Sequence, residues 1–235
     1  MRTYSSTSIL IGLLLSTPFL SVAGAEPSVQ ILGGGEVSRN VSYAYAGRVA
    51  SLPSSQLGNG MVSRLWADWI AYEYKKNGIT YDVSAPGLEV ALGIQRARAD
   101  FWGSVFGGVI YRHTNISPHD PESAVQGGKF RIKLQVEGEQ TINPLWKLSG
   151  NASYIFEQDA YWARSRLFRH MGSGHQLGLE AITQGDPYYR LAQLGAVLFG
   201  IKLGDQVSAG FKVGARKIEG LNSQVYMGVE FGNLF

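Results

Sequence analysis

The stretch that decides the fold is Val225-Tyr226-Met227-Gly228-Val229-Glu230-Phe231-Gly232-Asn233-Leu234-Phe235. Successive side chains of a strand point to opposite sides, so the stretch is read with period 2. Val225, Met227, Val229, Phe231 and Phe235 then share one face, interrupted only by Asn233. Tyr226, Gly228, Glu230, Gly232 and Leu234 take the other. One face is apolar; the other mixes a ring, a carboxylate and glycines. A strand of a membrane-spanning barrel and a strand of a soluble sandwich both alternate in this way. The rest of the chain has to choose between them.

The opposite end bears on that choice. Arg2 is the only early charge, an apolar run from Ile9 to Leu20 follows, and Ala23-Gly24-Ala25 precedes Glu26-Pro27. A positive start, an apolar centre and a small-x-small site predict a secretory signal peptide over residues 1–25. The run is short against the roughly 20 apolar residues that a spanning helix needs, and Pro18 interrupts it. No later window offers a long charge-free apolar run, which excludes a helical membrane protein. Residues 26–235 are expected to form one domain, exported and set in the outer membrane.

Composition narrows the function classes. Lys and Arg number 21 and Asp and Glu 18, a net charge of +3 with no basic run interleaved with aromatics. Nucleic acid is therefore not an expected partner. Cysteine is absent, so disulfides, thiol chemistry and Cys-ligated metals drop out. Thirty glycines beside 5 Trp, 12 Tyr and 10 Phe suit close strand packing inside a barrel and aromatic belts at membrane interfaces.

Nearly every later segment alternates. Ser28 to Gly35 is a weak first strand, and Tyr43 to Ala50 and Val62 to Tyr74 follow. Asn77-Gly78 is a type I′ hairpin signal. The next strand, around Leu88 to Gln95, carries a Pro86-Gly87 irregularity before Phe101 to His113. Thr114 to Gln126 is polar and Pro-rich and is read as the longest loop. Phe130 to Glu139 alternates most strictly. Further strands are expected at Trp146–Phe156, Tyr161–His170, His175–Gln184, Tyr189–Leu203, Val207–Ile218 and Val225–Phe235. About twelve strands of this kind predict an all-β, antiparallel up-and-down transmembrane β-barrel. In lipid every backbone N–H and C=O must pair, and a closed barrel leaves no edge. With both ends in the periplasm, Thr114 to Gln126, Glu157 to Asp159 and Gly185 to Pro187 fall outside. The Leu52 to Gly60 connection is long for a periplasmic turn and counts against this register.

The inward faces collect charge: Arg64, Asp68, Glu89, Arg131, Lys133, Glu137, Lys147, Arg164, Arg166, Glu180, Arg190, Lys212 and Arg216. Both signs occur, so a small barrel plugged by ion pairs is one reading. A polar passage or a sugar-contacting surface lined by Trp66, Trp102 and Trp162 is the other. His113, His119, His170 and His175 show no paired metal-ligand spacing, and His119 with Asp120 and Glu122 lacks the oxygen spacing of a calcium loop. No metal or cofactor is predicted. Ser104 with His113, or Ser173 with His175, are candidate catalytic pairs only by nearness in sequence, and no Gly-x-Ser-x-Gly elbow occurs.

Several blocks in order carry a resemblance. They are Tyr43-Ala44-Tyr45-Ala46-Gly47, Ala85-Pro86-Gly87-Leu88-Glu89, Ser117-Pro118-His119-Asp120-Pro121, Tyr154 to Trp162, Gln184 to Arg190, Arg216 to Gly220 and the terminal Phe235. Together they resemble the bacterial cellulose biosynthesis protein BcsS family, over nearly all of residues 26–235. The terminal strand likewise resembles the segment that the barrel-assembly machinery reads in outer-membrane barrels. The resemblance implies a non-enzymatic outer-membrane accessory of a cellulose synthase system, with other synthase subunits and cellulose or another β-glucan as partners beside membrane lipid. It implies no catalytic residues, and it leaves polymer export to a separate subunit. Asp159, Tyr161, Trp162, Asp186, Tyr188 and Arg190 are the candidate glucan-contacting rim; the competing reading seats these aromatics in the interfacial girdle. The candidate lumen network is Arg64, Asp68, Arg131, Glu137, Arg164 and Glu180. A lipid-modifying barrel enzyme, of lipase or lipid A deacylase type, and a small passive channel remain the alternatives.

Overall fold

A computed structural model describes residues 28–187, 189–204, 207–219 and 222–234. The predicted signal peptide and Phe235 lie outside the described residues. The elements in order are β1 (Val29–Ser38), β2 (Val41–Ser51), β3 (Gly60–Lys76), β4 (Ile79–Ala97), β5 (Phe101–Ser117) and β6 (Gly127–Asn143). After them come β7 (Trp146–Ile155), β8 (Ala160–His170), β9 (Gln176–Asp186), β10 (Tyr189–Lys202), β11 (Val207–Ile218) and β12 (Gln224–Leu234). Each strand pairs antiparallel with its sequence neighbours, and β1 pairs with β12 from Gln30 opposite Leu234 to Ser38 opposite Tyr226. The ring is closed. The opening stretch of the sequence is thus the strand that seals the barrel, with Tyr226 and Glu230 buried and Val225 and Met227 exposed.

The period-2 pattern explains the wall. Leu88, Val90, Leu92 and Ile94 on β4, and Phe130, Ile132, Leu134 and Val136 on β6, are all exposed on the outside. Aromatics edge this apolar band. Trp69, Tyr111, Phe130, Tyr154 and Tyr161 lie toward the end away from Val29 and Leu234, called distal here, and Phe101, Trp146 and Phe231 toward the proximal end. Strands of ten or eleven residues such as β1, β7 and β8 rise ~3.3 Å per residue at a tilt of ~45°, so they cover about 24 Å. That matches the apolar band of an outer-membrane barrel. β3 to β6 are longer, at 17 to 19 residues. The pairing of Val41 with Tyr72 and of Lys133 with Ile155 puts most of their excess at the distal end, as a raised wall.

Three expectations change in detail. Thr114 to Ser117 continues β5, so the distal loop is 118–126, because Thr114 and Ile116 still turn inward and Asn115 pairs with Ser84. Pro86-Gly87 does not break β4; β3 pairs along it throughout, and only the β5 ladder lapses between Ser84 and Gly87, where Pro86 has no N–H to give. The long Leu52–Gly60 connection is not an idle turn. Leu57 packs on Val49, Val62, Ala91 and Phe106, and the Gly58 N–H donates to Gln95 Oε1 at 2.7 Å. It packs against the β2–β5 side of the proximal mouth.

Candidate functional site

Among the described residues the lumen encloses a set of charges, made up of one linked network and a second region of smaller groups. In the first, the Arg166 guanidinium of β8 donates twice to Glu230 of β12, at 2.8 and 2.7 Å. Its Nε donates to Glu180 of β9 at 2.6 Å. Lys212 lies 2.7 Å from Glu36 and 3.5 Å from Glu230, and Arg216 pairs with Glu36 and donates to Ser38 Oγ at 2.7 Å. Arg164 stands 3.6 Å from Glu230. In the second region, Glu89 holds Lys133 at 2.8 Å and Arg64 at 3.3 Å, and Arg112 donates to Asp68 at 2.6 Å. Glu137 accepts from Ser104 Oγ at 2.8 Å, Asn151 Nδ2 at 3.2 Å and Gln135 Nε2 at 3.3 Å.

Many of these bonds join strands that are not neighbours; β8 and β12 are four strands apart. The first network therefore reaches across the lumen, whereas the bonds of the second join strands at most two apart. Arg164, Arg166, Glu180, Lys212, Arg216, Glu36 and Glu230 are each at most 5% exposed. Bidentate arginine–carboxylate pairs are among the strongest charged hydrogen bonds, and mutual pairing offsets the desolvation of both signs.

Toward the distal end, rings stand beside the charges, with Tyr43 opposite Glu36 and Tyr45 opposite Asp68. Tyr43 and Tyr45 have centroids 5.6 Å apart, and Tyr45 stacks on Trp66 at 4.9 Å. Trp66 lies over Gly47, where any Cβ would collide with the indole. Tyr74 stacks on Tyr81 at 4.9 Å, under the 118–126 loop. In that loop Asp120 accepts from Tyr74 Oη at 2.7 Å and Lys76 Nζ at 3.0 Å, and Glu122 meets Lys76 at 2.8 Å. Burial alone raises the Asp120 pKa, but the donations from Tyr74, Lys76 and the Glu122 amide outweigh it and hold the carboxyl below its ordinary value. Val125 of the same loop packs on the buried cluster that contains Tyr43, Trp66 and Trp162. This loop leans over the distal mouth as a latch.

The model of the cellulose biosynthesis protein BcsS family matches residues 31–235. The chain belongs to that family. No match is found among curated proteins. Among solved structures, the KdgM porin aligns with a TM-score of 0.53 and 12% identity, covering 88% of this chain and 99% of the porin. The KdgM porin in complex with disordered oligogalacturonate gives 0.55 and 12%, over 88% and 99%. An outer membrane channel from Pseudomonas putida F1 gives 0.55 and 10%, over 94% and 100%. At such identities the likeness shows the fold: an outer-membrane-type barrel.

Within this BcsS-family barrel, the six predicted lumen residues Arg64, Asp68, Arg131, Glu137, Arg164 and Glu180 all turn inward. They do not form one network: Arg64, Asp68 and Glu137 stand with the second, and Arg164 and Glu180 with the first. The predicted rim does not assemble either. Trp162 and Asp186 face the lumen, 3% and 7% exposed, whereas Tyr161 and Arg190 face outward. Strand alternation separates them. Arg190, expected inside, precedes Leu191, Gln193 and Val197, which hold the inward positions of β10. Asp159 is exposed in the β7–β8 turn and accepts from Tyr154 Oη at 2.5 Å. Tyr188 lies outside the described residues. Of the rim aromatics, Tyr161 joins the outer belt beside Tyr154, as the girdle reading expects, whereas Trp162 does not.

Ser104 and His113 lie on opposite faces of β5: Ser104 is committed to Glu137, and His113 is exposed beside Asn115 Oδ1 at 3.1 Å. The Ser173 side chain lies outside the described residues. Among the described residues no group of three acidic, His or Cys side chains is placed to hold a metal. Glu36, Arg112 and Glu230 are network residues that the sequence reading had not singled out as sites. Glu230 and Glu36 carry the signal that was available, a lone carboxylate between small or apolar strand residues.

Proposed function

We propose that this barrel is a non-enzymatic outer-membrane accessory of cellulose production, whose filled body does not carry the polymer. Family membership supports the cellulose context. The observation that carries the rest is the crossed lumen, in which Arg166 ties β8, β9 and β12 together through Glu180 and Glu230. A glucan strand needs a bore several ångströms wide, and on this reading these side chains, with Leu57 below, occupy it. The distal end faces outward on this reading, placing the raised wall of β3 to β6 where polymer, lipid and other synthase subunits are met. Biogenesis through the barrel-assembly machinery is part of this reading.

A strain deleted for this chain tests the function, with cellulose output and the lipid A profile measured on the same cells. Lost or mislocalised cellulose with unchanged lipid A is the expected result. Normal cellulose with altered lipid A would replace this reading with a lipid-modifying enzyme.

A further inference from the structure

We propose that the β7–β9 corner of the distal lumen, built from Gln158, Trp162 and Gln184, binds one unit of a neutral hexose chain. Trp162 and Gln184 are directly paired across β8 and β9 and turn inward together, 3% and 1% exposed. Gln158 precedes them in the β7–β8 turn. The Trp162 indole N–H and both amide atoms of Gln158 and of Gln184 are buried without a protein partner. Buried polar groups in folded proteins are normally paired, so an orphaned set in one corner asks for an explanation. Three other lumen glutamines have protein partners: Gln95 accepts from Gly58, Gln135 donates to Glu137 and Gln193 donates to Glu36, whereas Gln176 keeps one orphaned oxygen.

The chemistry of the orphaned set selects its ligand. Each amide offers a donor and an acceptor, and the indole adds a donor beside an apolar face. A pyranose presents the counterpart, hydroxyls that both donate and accept around an apolar C–H face. None of these three side chains is charged, and the one cation beside them, Arg164, is paired with Glu230 at 3.6 Å, so the site suits a neutral sugar rather than a uronate or a phosphate. Arg164, 5.5 Å from the Trp162 ring, fixes the indole from one side. A largely apolar lining with a few convergent polar groups is the usual make-up of a ligand site. Entry runs past the 118–126 latch, whose Val125 packs on the same cluster as Trp162. The site deepens the accessory reading and rests on it for the identity of the sugar, a β-linked glucan end.

Calorimetric titration of the purified full-length barrel with cellohexaose tests the site, with maltohexaose and oligogalacturonate as the other arms. Wild type is expected to bind cellohexaose, and Gln184→Leu and Trp162→Phe to weaken it at least about tenfold. Because Gln184→Leu removes orphaned polar atoms, its unfolding midpoint should match or exceed that of wild type, so a loss of binding cannot be ascribed to misfolding. Asp120→Asn, which loosens the latch, should speed binding. Absence of binding in both wild type and Asp120→Asn, undiminished binding in Gln184→Leu, or a preference for oligogalacturonate would overturn the site. Equal binding of maltohexaose supports a neutral hexose site without tying it to cellulose. Binding in a protein whose deletion leaves cellulose normal would sink the accessory reading and keep the site; lost cellulose without binding would do the reverse.

Discussion

Glu230 is the carboxylate on which Arg164, Arg166 and Lys212 converge. Neutralising it leaves three buried cations to share Glu180 and Glu36. Removing one member of a buried ionic group costs about 3–5 kcal/mol, so Glu230→Gln is expected to lower unfolding stability by that order in urea titrations of the reconstituted barrel. Ser104→Ala, which removes a single donor to Glu137, should cost only about 1 kcal/mol. Asp120 gives a pH-dependent counterpart outside the membrane. Its carboxyl is held below the ordinary aspartate value, so its contribution is complete above that value and is lost as pH falls through the lowered one. Protease cleavage of the 118–126 loop should therefore rise only in acid in wild type and already be raised at neutral pH in Asp120→Asn; equal neutral cleavage would contradict the latch. At this scale alternation made Glu230 and Glu180 legible as inward residues. Their partners were not legible, because Arg166 meets Glu230 across four strands and no local pattern records which chords of the lumen are spanned.

The strands themselves were the most readable elements, since each buries one face and exposes the other. Asn77-Gly78 was read as a type I′ turn, and both residues have positive φ, 52° and 80°. The loops were less readable. Leu57 looks like an ordinary loop residue until Val49, Val62, Ala91 and Phe106 are brought around it, and Val125 likewise. The rim failed for a definite reason: Tyr161 and Trp162 are adjacent in sequence and so fall on opposite sides of one wall. Glycine placement also acts at this scale. Gly47 leaves room for the Trp66 ring that closes the distal lumen, so Gly47→Ala should destabilise the barrel by about 1–3 kcal/mol through overpacking. In a Trp66→Leu background the same substitution should cost much less, a coupling that a double-mutant cycle of unfolding measurements will read. Additive costs would mean that the ring does not depend on the glycine.

Over the whole molecule, inward side chains are packed along the lumen. Leu57 and Gln95 sit at the proximal mouth, ion pairs join strands that are not neighbours, and stacked rings stand among them below the Asp120 latch. A closed ring of twelve strands was legible from the composition and the alternation, and a filled lumen was one of two readings left open. The structure adds ion pairs between strands that are not neighbours, whose side-chain reach a sequence does not display, and a conductance measurement decides between the two. The most direct measurement is ionic conductance across a planar bilayer holding the purified barrel at neutral pH. The account predicts a silent membrane in which the inserted barrel gives no stable open-pore steps, and contrasting activity only when Arg166 and Leu57 are both cut back to alanine. Steady open-pore steps from the wild-type barrel would contradict it, and would return the lumen to the role of a passage.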